Sequence, residues 1–291
     1  MMCNLCPRGC NIDRKTATGA CKMGDKVKIA KVMLHMWEEP CISGERGSGA
    51  IFFSGCPLGC VYCQNKDISH SGNIGKEYTV KELADIMLDL QNQGAHNINL
   101  VTPTHFADKI REAIDLIRNE LKIPVVYNTS GYELDYEIEK MKGYVDIFLT
   151  DIKYFDKELS KKYSKAPDYF ERAFSALDKM LEIAPRPVFD ENGLLKKGVI
   201  VRHLVLPTMR LDSKRILEEI YKKHGVECLK LSLMSQYTPE FCDPCYKEIK
   251  RKITTFEYQS VVDYATELGF DGYIQEITSA TSKYTPSFNK E

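Results

Sequence analysis

The sequence predicts an α/β fold, a partial (β/α)6 barrel that carries a Cys-rich N-terminal extension. Apolar runs of strand length alternate with stretches of helical period along most of the chain. Gly and Pro mark many of the changes of period. Residues 1–49 show little of either periodicity and are rich in Cys and Gly instead. An open doubly wound sheet would give the same alternation, because periodicity does not report closure.

The elements follow in order. AIFFSG (50–55) reads as a buried strand ending at a Gly, and TVKELADIMLDLQNQG (79–94) as a helix with a Gly stop. NINLVT (97–102) is a strand, HFADKIREAIDLIRNEL (105–121) a helix, and KIPVVYNT (122–129) a strand entered past a Pro. ELDYEIEKM (133–141) is a short helix before the strand VDIFLTDI (145–152), and residues 156–184 are helical. GVIVRHLVL (198–206), DSKRILEEIYKKHG (212–225) and CLKLSLM (228–234) continue as strand, helix, strand. A helix near 256–268 and a short strand near 273–277 close the pattern, and the final TSKYTPSFNKE reads as a poorly ordered tail. The organisation expected is an extension over 1–49, a barrel core over 50–240 and a C-terminal extension over 241–291 packed on the core. Ligands of such folds belong at the carboxyl ends of the strands.

Composition narrows the function classes. The 291 residues carry 40 Lys and Arg against 41 Asp and Glu, so no basic excess draws nucleic acid or anionic lipid. No apolar run suits a signal peptide or a membrane span, and a cytoplasmic protein is the expectation. The 11 Cys lie in tight groups, with none between Cys63 and Cys228. A secreted disulfide framework would spread its bridges over the fold, so short Cys spacings read better as metal or cluster ligands.

SGCPLGCVYCQN places Cys56, Cys60 and Cys63 in a C-x3-C-x2-C spacing directly after the first core strand. Three thiolates on one tight loop can each take one iron of a [4Fe–4S] cubane and leave the fourth iron open to a small chelating ligand. Gly55 and Gly59 let the backbone wrap closely around such a cluster. The bland readings are a zinc site one ligand short, or thiols gathered by chance.

That spacing, with Tyr62 before the last Cys, is similar to the signature of radical S-adenosylmethionine (SAM) enzymes. ISGERGSGAIFFSGCPLGCVYCQN (42–65) resembles pyruvate formate-lyase activating-enzyme-like proteins, and CNLCPRGCNIDR with NLVTPTHF (99–106) resembles a branch of that group. The resemblance implies a radical SAM barrel, a [4Fe–4S] cluster on Cys56, Cys60 and Cys63, and SAM as co-substrate. It implies a reducing partner such as flavodoxin or ferredoxin. SAM would give methionine and a 5′-deoxyadenosyl radical that takes hydrogen from a substrate. By the same resemblance Tyr62, Asn128, Thr129, Asp151, Lys153 and Arg202 face the SAM pocket, with His203 a weaker candidate beside them. Where most of the family carries a Gly-Gly-Glu-like element, this chain reads T-P-T-H, making Thr104 and His105 the candidates there.

Cys3, Cys6, Cys10 and Cys21 form a second group, suited to zinc or an auxiliary Fe–S cluster, with Arg8 and Arg14 near enough to offset its charge. Cys242 and Cys245 form a C-x2-C that reads as a metal site, a redox pair or a loop coincidence. Trp37, the only Trp, reads as a packing anchor. Three functions compete: activation of a partner enzyme by a glycyl radical, radical SAM modification of another peptide, protein side chain or metabolite, and a non-catalytic electron-transfer or metal-binding module. An open iron disfavours the third, since a carrier gains from full ligation.

Overall fold

The computed structural model describes residues 2–276, together with 286 and 288. Its centre is one mostly parallel sheet. Strands β2 (Ser48–Phe53), β4 (Ile98–Val101), β5 (Val125–Thr129), β6 (Ile147–Asp151), β8 (Leu195–Leu204), β9 (Lys230–Met234) and β10 (Gly272–Ile274) pair in that order, each parallel to the last. Antiparallel β1 (Val27–His35) and β3 (Lys76–Tyr78) extend the sheet beyond β2, and β7 (Val188–Phe189) pairs with β8. Helices α3 (Val80–Asn92), α4 (Ala107–Ile117), α5 (Asp135–Glu139), α7 (Tyr169–Ile183), α8 (Arg210–His224) and α9 (Thr255–Glu267) connect or follow these strands. The alternating α/β chain read from the sequence is thus the fold.

Period two sorts the strand residues onto two faces. Tyr127, Phe148, Val199 and Val201 join the large core under the helices, with Leu83, Met87 and Ile110. Val126, Ile147, Leu149 and Ile200 point the other way and pack against Cys41 and Ile42 of the short helix α1 (Pro40–Ser43). A sheet buried on both faces explains why these strands read as nearly continuous apolar runs.

Several local features depart from the sequence expectation. Val27–His35, inside the extension, is a full strand hydrogen-bonded to β2. Its lysines at 28 and 31 fit a partly exposed strand, which weakens the apolar signal. The helix expected over 156–184 is two, α6 (Lys157–Ser164) and α7, separated where Lys165 turns left-handed at φ 52° and Pro167 follows. Trp37 is 63% exposed and anchors no core. The tail expectation for 281–291 lies outside the described residues, apart from Pro286 and Phe288, the latter with its ring 5.6 Å from that of Phe52.

Candidate active site

The loop carrying Cys56, Cys60 and Cys63 leaves the carboxyl end of β2, followed by the short helix α2 (Lys66–Ser69). Gly55 turns into it at φ 81°, and a Cβ there would strike the carbonyl oxygen of Cys21, so the position requires glycine. Gly59 also has positive φ, 68°, with open space where a side chain would stand. Each thiol has a donor within reach. Leu58 N–H donates toward Cys56 Sγ at 3.4 Å, the Ser164 hydroxyl donates to Cys60 Sγ at 2.9 Å, and Ser69 Oγ lies 3.4 Å from Cys63 Sγ. Burial pushes the Cys56 thiol up to about 12 and that of Cys63 to about 11, with the neighbouring thiols adding to the shift.

Among the described residues no three His, Cys, Asp or Glu side chains converge as a single metal ion requires. A cubane asks for something else: one thiolate at each of three irons, set apart around the cluster. Three thiols on a Gly-lined loop, each beside a hydrogen-bond donor, fit that demand.

Tyr62 points away from solvent into a nest of aromatics. Its hydroxyl meets that of Tyr154 at 2.5 Å, and Tyr154 meets the Ser164 hydroxyl at 2.8 Å. A continuous chain of hydrogen bonds therefore links Tyr62, Tyr154, Ser164 and Cys60. Tyr163 and Tyr237 pack edge-on against the Tyr62 ring, with centroids at 6.4 and 5.9 Å.

The strand ends beside this loop carry a second polar cluster, on the face that packs against α1. Asn128, Asp151 and Arg202 each stand two residues beyond an apolar residue of that face, on β5, β6 and β8. Asp151 takes Lys153 Nζ on one oxygen at 2.5 Å and Arg202 Nε on the other at 3.0 Å. Burial alone would raise the Asp151 carboxyl and lower the Lys153 amine. Mutual attraction, with Arg202 adding to it at Asp151, reverses both, so the pair stays charged. Arg202 reaches on to Asn128 Oδ1 at 2.7 Å and Glu38 Oε2 at 3.3 Å. Glu38 Oε1 accepts from Asn99 and Asn128, both at 3.2 Å. Tyr169 fixes the rim by donating to Ser130 or Asp151 carbonyl oxygen while accepting the Lys153 backbone N–H.

Thr104, Thr129 and His105 are drawn elsewhere. Thr102 turns out of β4 at φ 61°, a strained value for a β-branched residue. The chain then folds Thr104 and His105 into buried positions. Thr104 donates to Glu133 Oε1 at 2.6 Å, and Thr129 donates to the same oxygen. Burial pushes the Glu133 carboxyl up to about 7. His105 Nε2 bonds the carbonyl of Ser54, just ahead of the Cys loop, at 2.8 Å, and burial lowers its imidazole to about 3. His203 faces helix α8, bonded to Ile152 O at 2.7 Å and Ser213 Oγ at 2.8 Å.

Of the residues expected from sequence, the structure thus gathers Asn128, Asp151, Lys153 and Arg202 into one network. Tyr62 is joined to the Cys loop, and His105 lies beneath it. Sequence reading missed Glu38, Ser164, Tyr154 and Glu133. Glu38 had one usable signal: paired acids just before a Pro and just after an apolar run, in HMWEEP.

All the cysteines are free thiols. The loop of Cys242 and Cys245 lies beside the central one, with Asp243 N–H donating to Val61 O at 3.0 Å. A cleft of about 860 Å³ opens between them, lined by Cys56, Gly59, Cys242, Arg8 and Lys165 among others. Asn128, Asp151 and Arg202 take no part in its wall.

A Cys loop after β2, at the carboxyl edge of a parallel sheet, is the arrangement of one enzyme class, and the chain belongs to it: the Radical SAM superfamily, whose family model matches residues 50–197. It is 30% identical over 281 residues to MJ0674, an uncharacterised protein of Methanocaldococcus jannaschii, covering 92% of this chain and 75% of that one. Among solved structures the fold resembles a radical SAM methyltransferase from Sphaerobacter thermophilus, with TM-score 0.53 and 10% identity over 78% of this chain and 66% of that one. It also resembles SuiB of Streptococcus suis, with TM-score 0.51 and 12% identity over 78% of this chain and 49% of that one. The chain therefore spans about two thirds and about half of those two proteins. Membership of the superfamily implies a [4Fe–4S] cluster and SAM as co-substrate. Among the described residues no helix is long and apolar enough to cross a membrane.

Proposed function

We propose that Cys56, Cys60 and Cys63 hold the [4Fe–4S] cluster and that SAM lies between this loop and the network of Asn128, Asp151, Lys153 and Arg202. The observation that carries the reading is the three-thiol loop at the carboxyl end of β2, each thiol beside a donor. Bound there, the group would supply the one electron of reductive SAM cleavage, with methionine and the 5′-deoxyadenosyl radical as products. The protein's part is to bind, orient and exclude. Lys153 is the cation suited to the SAM carboxylate, and Asp151 holds it beside Arg202, which Glu38 and Asn128 also engage. Tyr62 and its aromatic nest close one side of the loop to water.

The radical would act on a hydrogen donor brought to the strand ends. The likeness of residues 42–65 and 99–106 to activating-enzyme-like proteins supports a glycyl residue of a partner protein, with flavodoxin or ferredoxin as the reducing partner. The test is anaerobic reconstitution with iron and sulfide, then reduction in the presence of SAM. The expected result is a [4Fe–4S] signal and 5′-deoxyadenosine, both lost when Cys56, Cys60 and Cys63 become Ala. Absence of 5′-deoxyadenosine from the wild-type protein would overturn the reading.

A further inference from the structure

We propose that Cys3, Cys6, Cys10 and Cys21 bind a four-thiolate metal centre, and that this centre is a clasp that fixes the Cys56–Cys63 loop through Arg8 and Arg14. The part concerning the loop as cluster holder rests on the function proposed above.

The segment is already folded as a ligand knuckle. Cys3 N–H bonds Ile12 O at 2.8 Å and Asn11 N–H bonds Cys3 O at 3.1 Å, while Met2 bridges Asp13. This brings the two ends of the first Cys group together. A turn closes Cys6 O to Gly9 N–H at 3.1 Å. Cys10 Sγ accepts Ala20 N–H at 3.2 Å, the kind of donor a metal-bound thiolate takes. The sulfurs of Cys10 and Cys21 lie 3.4 and 3.5 Å from the point where Gly19 would carry a Cβ, which puts both thiols against the same residue. The four sulfurs do not converge on one point, so binding must draw them in.

A second observation asks for an anion here. Arg14 is only 9% exposed, yet its Nε and one terminal nitrogen find no acceptor among the described residues. It lies close enough to Cys21 for its charge to act on that thiol. A buried guanidinium with unmet donors beside four neutral thiols is costly. Beside a four-thiolate centre, which carries net negative charge with zinc or with an Fe–S cluster, it is matched.

Both arginines then carry the knuckle's position to the central loop. Arg8 spans Pro57 O at 2.6 Å, Leu58 O at 3.4 Å and Ser164 O at 2.9 Å, and also bonds Lys165 O. It thus ties the Cys56–Cys60 turn to the end of the helix that presents Ser164 to Cys60. Arg14 donates to His105 O, whose ring bonds Ser54 O on the other side of the loop. The carbonyl of Cys21 sits against Gly55 at the loop's entry.

The test separates this site from the central one. The full chain with Cys56, Cys60 and Cys63 replaced by Ala is purified anaerobically and its metals counted. About one zinc, or about two or four irons, per chain supports the proposal and tells the two metals apart. The further change C6S/C10S, in a chain still folded by circular dichroism, should remove that metal. No metal in the first protein, or undiminished metal in the second, overturns the site. Hydrogen exchange of the amides of residues 58–64 then reads the clasp in the same Ala background. Arg8→Gln should keep the metal yet speed exchange about tenfold or more. Unchanged exchange overturns the clasp. Since every arm runs without the central thiols, failure of wild-type SAM cleavage would count against the proposed function alone.

Discussion

The hydroxyl of Ser164 donates to the sulfur of Cys60 at 2.9 Å across 104 residues of sequence. It reaches that sulfur from the last turn of α6, where Tyr154 holds it on the other side. With Cys60 a cluster ligand, as proposed, that donor stabilises the more negative, reduced state and so raises the potential. Ser164→Ala removes about 1 kcal/mol of that preference. For one electron this lowers the cluster potential by about 40 mV, measurable by a redox titration followed by electron paramagnetic resonance. An unchanged potential would show that Ser164 does not donate to a cluster thiolate.

Asp151 holds Lys153 and Arg202 on its two oxygens. Asp151→Asn removes the acid that holds Lys153 and one of the two that hold Arg202, and so misplaces Lys153 for an anionic ligand. SAM binding, followed by calorimetry on the reconstituted protein, should weaken about tenfold or more. The iron and sulfide content should stay the same, because Asp151 holds no cluster.

Glu133 gives the fold a pH dependence of definite sign. Its carboxyl, ordinarily near 4.5, is pushed up to about 7 by burial, against two threonine hydroxyls that favour the charged form. Between those two values the folded protein keeps a proton that the unfolded chain has released. Stability from this group therefore falls as pH rises through that window, by about 3 kcal/mol at most. In Glu133→Gln, urea denaturation at pH 5 and pH 8 should show about 2–3 kcal/mol less of a difference than wild type. Equal pH slopes would show that Glu133 titrates as an ordinary carboxylate.

Gly55→Ala forces a side chain into φ 81° and against Cys21 O. The expected cost is about 1–3 kcal/mol in a denaturant melt. Gly59→Ala, with the same sign of φ but open space, pays the conformational part alone and should cost less.

Much of this fold was legible because each strand announced itself locally. AIFFSG and VDIFLTDI are buried on both faces, and so they read as plain apolar runs. The strand Val27–His35 escaped because its lysines break the run, while its partner β2 lies beyond an intervening helix and turn. The central thiols stood out in the sequence because their spacing is local. Glu38 and Ser164 did not, since each acts on groups more than 60 residues away, and the acid pair before Pro40 marks Glu38 only faintly. Thr104 and Thr129 show the converse. The resemblance put both near the SAM pocket, and each donates to Glu133, a buried carboxyl that no local pattern announces.

The reach of Arg8 also fixes an order of construction. Its partners include Pro57, 49 residues on, and Lys165, 157 residues on. A ribosome has long since released the central thiols before the helix bearing Ser164 and Lys165 exists to meet that guanidinium. The loop is thus finished late, and iron delivered to a nascent chain would meet thiols still lacking their final neighbours. The hydrogen bonds that complete the loop therefore form only once synthesis has passed α6.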